Sequence, residues 1–172
     1  MTAFHLLLAA VFPALVIVAA LKDLTSFTIP NWISLALLAV FVPAALTGHM
    51  PWPSVGLHFA VFAAALVAGM VMFALGWIGG GDAKLFAVSG LWIGAGGFLP
   101  FLLVTALAGG ALAILLVTLR HDFVRAHIPA GPAWVERLRQ PKSAAPYGVA
   151  IAIGSLAAMP LASLNLGLLG LG

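Results

Sequence analysis

The chain has 172 residues, 64% hydrophobic and only 6% charged, with 7 Lys and Arg against 4 Asp and Glu. Soluble domains run near a quarter charged, so this composition excludes a soluble enzyme, a nucleic-acid-binding domain and a disordered tail. The absence of cysteine excludes disulfides, thiolate zinc sites and Cys nucleophiles. What remains is an all-α, polytopic integral membrane protein, and at about 20 residues per span this length holds six transmembrane helices at most.

Uncharged apolar runs predict those six spans in chain order. The first covers Phe4–Leu21 and is closed by Lys22-Asp23. Its positive charge follows the apolar run, the reverse of a secretory signal, so it reads as a permanent span that Pro13 bends. The second runs Ile29–Thr47, and Asn31 after Pro30 is placed to cap it. The third covers Val55–Trp77, the fourth Leu85–Phe98, and Pro100 separates the fourth from the fifth, Phe101–Leu119. Gly90 and Gly94 give the fourth a small-xxx-small packing pattern. A basic stretch, 120–145, precedes the sixth span, Tyr147 to about Leu169. The chain thus reads as one membrane-embedded domain with a basic loop.

Charge placement supports six crossings. Lys22, Lys84, Arg120, Arg125, Arg137, Arg139 and Lys142 all fall in connections on one face. The positive-inside rule makes that face cytoplasmic and turns both termini outward. His5, His49 and His58 then lie near the outer face as interfacial polar residues, and Trp52 and Trp134 suit membrane edges. His121 and His127 have the wrong spacing for one helix face and no other ligand cluster lies nearby, so no metal is expected; no cofactor is expected either.

Asp122 and Glu136 lie among basic residues and read as their solvated partners. Asp23 and Asp82 differ, because both stand where the chain leaves or enters the bilayer, and ionisable groups at membrane depth are costly and functional by default. Two spans separate them, so they share a face, and packing the first span against the fourth would bring them together. The bland alternative pairs each with its neighbour, Lys22 or Lys84. Gly79-Gly80-Gly81 before Asp82 predicts irregular backbone, open to an extended peptide through main-chain hydrogen bonds. Two carboxylates about 4 Å apart repel by about 4 kcal/mol at an effective dielectric near 20. That is enough to keep one proton shared on the pair. The ionised partner can then activate water while the protonated one donates to a peptide carbonyl. The rival reading is a small proton-coupled transporter in which Asp23 and Asp82 carry protons; transporters place such groups near the midplane.

Gly79-Gly80-Gly81-Asp82, followed by Ala83-Lys84-Leu85, resembles the GxGD motif of the membrane aspartyl proteases in the form of the bacterial type IV prepilin peptidases. Asp23 shortly before Ile29-Pro30-Asn31 resembles the other half of that active site. Ala145-Pro146-Tyr147-Gly148 resembles a Pro-aromatic-Gly element at the last span. The resemblance implies an inner-membrane aspartic endopeptidase that removes the short basic leader of prepilins or pseudopilins at the cytoplasmic face. Asp23 and Asp82 match the catalytic positions, Gly79 and Gly81 the site-shaping glycines, and Lys84 a frequent motif position. Larger members carry a Cys-containing cytoplasmic domain and N-methylate the product. With only Lys22–Thr28 between the first two spans and no Cys, this chain resembles the short, peptidase-only form of tight-adherence (Flp-type) pili. Membrane lipids and a prepilin are the expected partners.

Overall fold

The computed structural model describes residues 3–127, 129, 131–140 and 143–162. Every regular element among them is helical: α1 Ala3–Ser26, α2 Asn31–Thr47, α3 Trp52–Ala74, α4 Gly80–Arg120, α5 Asp122–His127, α6 Ala133–Leu138 and α7 Tyr147–Ala158, then a 3₁₀ turn at Met159–Leu161. Helices α1, α3 and α4 are long and apolar enough to cross a membrane, while α2 and α7 are shorter apolar helices. The last part of the expected sixth span, and Lys142, lie outside the described residues.

α1 does not stop at Leu21. It runs through Pro13, Lys22 and Asp23 to Ser26. The hydroxyls of Thr25 and Ser26 bond back to the carbonyls of Leu21 and Lys22, each at 2.6 Å, so both polar side chains are satisfied within their own helix. Phe27 then ends the helix in the left-handed region, φ 57°. Pro30 and Pro51 precede α2 and α3 with extended ψ of 135° and 141°. So Pro30, not Asn31, occupies the cap position of α2. α3 closes at Ala74, short of Trp77, where Gly76 turns left-handed and the Trp77 N–H reaches back to the Met72 carbonyl at 2.9 Å.

α4 departs most from expectation. Its helical conformation breaks at Gly94 (φ 69°, ψ 179°), not at Pro100, which lies inside the helix that follows. The chain reverses there. Phe86 and Phe101 stack with ring centroids 5.3 Å apart, although fifteen residues of straight helix would separate them by about 22 Å. Phe98 likewise returns to within 3.1 Å of where a Cβ on Gly90 would stand. The two halves, 80–93 and 95–120, form an antiparallel hairpin. Gly90 is a packing glycine against Ala65 and Val61, as its pattern predicts, whereas Gly94 is the turn itself. Its dihedrals fall in a region essentially reserved for glycine.

His58 explains why the break is stable. Expected at the interface, it is 3% exposed, and its Nδ1 donates to the Leu91 carbonyl at 2.6 Å. In a continuous helix that carbonyl would accept from the Ala95 N–H, which lies beyond the break. Beside this knuckle the aromatic core closes. Phe12 of α1 stacks on Trp92 at 5.3 Å, Phe41 of α2 meets Trp92 edge-on at 6.0 Å, and Trp92 Nε1 donates to the Leu37 carbonyl at 2.9 Å. The outward faces stay apolar, with Leu107, Ile114 and Val117 exposed, as a lipid-facing surface requires.

Replacing Gly94 by Ala should therefore destabilise the protein by about 3 kcal/mol or more, from a glycine-only backbone conformation and a Cβ driven into the His58 ring. In thermal unfolding in detergent, adding His58→Ala should recover only part of that loss. Wild-type stability in the Gly94→Ala single variant would remove the turn from this position.

Candidate active site

Asp23 sits in the last turn of α1, where the negative end of the helix dipole opposes a carboxylate. It is only 5% exposed. A charged group so placed does nothing for the helix that carries it. Asp82 has a local role: at the third position of α4, its Oδ2 accepts the N–H of the preceding cap residue Gly79 at 3.0 Å. Its Oδ1 is buried with no hydrogen-bond partner among the described residues.

The two carboxyl groups line one cavity of about 230 Å³, together with Phe27, Thr28, Ile29, Gly79, Gly80 and Gly81. They lie close enough to act on one another electrostatically. α1 and α4 do not produce this meeting alone. α7 packs against both, and its second residue, Gly148, donates its N–H to Asp23 Oδ2 at 2.7 Å. A Cβ at Gly148 would lie 2.8 Å from Asp23 Oδ2 and 2.8 Å from Ile29 Cδ1, so only glycine lets α7 come this close.

The glycines before Asp82 serve close approach more than unusual dihedrals. Gly79 is extended (φ −75°, ψ 155°), and Gly80 and Gly81 already belong to the first helical turn. With the Gly79 N–H given to Asp82 and the Ala83 N–H to the Gly79 carbonyl at 3.1 Å, this stretch is not the open backbone expected for strand addition. At Gly81, a Cβ would stand 3.0 Å from Ile29 Cβ, so the missing side chain seats α4 against the chain that leads into α2.

Among the described residues neither aspartate has a Lys or Arg partner, so the bland ion-pair reading fails. Lys84 points elsewhere, its Nζ donating to Asn31 Oδ1 at 2.8 Å in a neighbouring groove. Glu136 pairs with Arg139 at 2.7 Å, as its surroundings predict.

The basic segment lies at the same end of the molecule as both aspartates. Arg120 donates from Nε to the Leu138 carbonyl at 3.0 Å and from Nη2 to the Ser143 carbonyl at 2.9 Å. Arg137 lies 5.6 Å above the ring of Phe27, a residue that lines the carboxylate cavity. Sequence reasoning missed Phe27 altogether. Gly148 was visible only as part of a motif, without its contact to Asp23. Among the described residues no group of three or more His, Asp or Glu side chains is arranged to hold a metal ion.

A model of the type IV leader peptidase family matches residues 10–114, which include Asp23, the glycines and Asp82. The chain belongs to the type IV leader peptidase family. Membership implies a peptidase with prepilin substrates, and the apolar helices agree with a membrane protein. Comparison with curated proteins and with solved structures gives no match.

Gly148→Ala should cost about 1–3 kcal/mol of stability through overpacking. Gly109→Ala, where the nearest neighbours of a Cβ lie at an ordinary 3.8 Å, should be neutral or slightly stabilising. Thermal unfolding of the two variants side by side checks this. Equal behaviour would show that α7 has room to spare at Gly148.

Proposed function

We propose that this protein is a membrane aspartic endopeptidase that removes the short basic leader from Flp-like prepilins, with Asp23 and Asp82 as a general acid–base pair. One observation carries the reading: the two carboxyl groups, distant in sequence and each at a helix end, line one small cavity with no basic side chain among its lining residues. Buried polar atoms are rarely left without a partner. Asp82 Oδ1 is therefore the position from which a hydrogen bond to a nucleophilic water or to the scissile carbonyl is made.

In this scheme one aspartate is ionised and takes a proton from water as the water oxygen attacks the peptide carbon. The other is protonated and donates to the carbonyl oxygen, giving a tetrahedral diol. Collapse breaks the C–N bond, and the amine leaves with a proton supplied by the pair. Both groups then exchange roles, as two coupled carboxyls do. The Gly148 N–H holds Asp23 in place throughout, and Gly79 holds Asp82.

We place the cavity at the cytoplasmic face of the inner membrane in a chain of six crossings with both termini outside, the hairpin of α4 supplying two of them. The clustering of Arg120, Arg137 and Lys84 at the aspartate end supports this orientation through the positive-inside rule. It also disfavours a proton-coupled transporter, which needs its ionisable groups near the midplane. The connection from α1 to α2 is only Phe27–Pro30, which leaves no room there for a Cys-containing domain. This supports the peptidase-only form without N-methylation.

Asp23→Asn and Asp82→Asn should each reduce leader removal from a co-expressed prepilin at least about a hundredfold, the scale of a lost general acid or base. Asp122→Asn, on the exposed start of α5, should leave it unchanged. Normal processing by both site variants would end the peptidase reading of this pair.

A further inference from the structure

A second groove lies beside the carboxylate cavity but is not part of it. It has a volume of about 390 Å³ and is lined by Asn31, Ser34, Leu35 and Leu38 of α2, Phe62 and Leu66 of α3, and Lys84 and Val88 of α4. The α2 residues recur at the three- and four-residue spacing that forms one helix face, so the groove follows α2 inward from its first residue. Its chemistry is graded along that length. Asn31 and Lys84 stand at the aspartate end, Ser34 follows, and beyond them the lining is entirely leucine, phenylalanine and valine.

Lys84 is the distinctive feature. Its Nζ donates to Asn31 Oδ1 at 2.8 Å, and among the described residues it has no carboxylate partner. An ammonium has three N–H donors. The bond to Asn31 therefore holds the exposed ammonium at the groove mouth and leaves two of its donors for a ligand there. A cation held at one end of an apolar groove lined by three helices suits a ligand with an anionic head and a hydrocarbon tail.

We propose that this groove binds one anionic phospholipid, its phosphate on Lys84 and Asn31 and an acyl chain along Leu35, Leu38, Phe62, Leu66 and Val88. Charge complementarity selects the headgroup, since basic side chains at a membrane surface favour anionic over zwitterionic lipid. The apolar length selects a lipid over a free phosphate ion. Such a lipid bridges α2, α3 and the first half of α4, and so braces the helix that carries Asp82. The proposal stands whether or not the aspartates cut peptides.

Native mass spectrometry of the full chain, released from detergent with phosphatidylglycerol or phosphatidylcholine added, tests it. The wild type should retain one phosphatidylglycerol in preference to phosphatidylcholine, and added inorganic phosphate should not displace it. Lys84→Gln should weaken retention about five- to tenfold, whereas Lys84→Arg should keep it. Leu38→Trp, which fills the channel and leaves Lys84 in place, should also release the lipid. Monodisperse elution confirms that each variant is folded. Equal retention of both lipids by the wild type would overturn the proposal. So would unchanged retention in both Lys84→Gln and Leu38→Trp, or displacement of the lipid by phosphate alone. A photoreactive side chain at position 35 that labels prepilin rather than lipid would do the same.

Discussion

The hydrogen bond from the Gly148 amide to Asp23, 2.7 Å long and spanning 125 residues of sequence, is the contact on which the rest of the site depends. A carboxylate in the last turn of a helix, buried and opposed by the helix dipole, is an unfavourable thing to build. It is tolerated because another helix brings a backbone donor to it, and that donor arrives only because the residue bearing it lacks a side chain. The result is a three-helix junction in which α1 and α4 supply the acids and α7 supplies the bond that holds them at one cavity.

A second constraint fixes the depth at which the junction forms. The reversal at Gly94 makes the first half of α4 short, about 21 Å at 1.5 Å per residue. The return helix then runs back past Asp82 to Arg120, whose guanidinium gathers the carbonyls of Leu138 and Ser143. The basic segment, α7 and Gly148 are thereby delivered to the end where α4 began. His58 and Gly94 stand at the far end of that half-helix from Asp82, and they contribute to the site by setting where the hairpin turns.

Much of this was legible in the sequence, for identifiable reasons. Four acidic residues in 172 could each be weighed, and counting spans between Asp23 and Asp82 placed them at one end without any geometry. The helix break was misplaced because Pro100 is the stronger breaker by propensity, while Gly94, four residues after Gly90, fits a packing pattern equally well; only a positive φ distinguishes the two uses of glycine. His58 was misread because one histidine in an apolar helix gives no sign of the distant carbonyl it will meet. The glycines before Asp82 announced a special backbone, but not that the special feature is nearness to Ile29. Gly148 belonged to a recognisable element, yet its role depends on a contact between α1 and α7 that no local pattern encodes.

Because the chain has no cysteine, the most direct test of the central claim is cross-linking of an Asp23→Cys/Asp82→Cys double variant in lipid, using the shortest bifunctional thiol reagents. Two residues lining the same small cavity should join efficiently within one chain, in the presence and absence of prepilin. Failure to join in both conditions, with each single cysteine still reactive, would contradict the shared site and leave the two acids without a common chemistry.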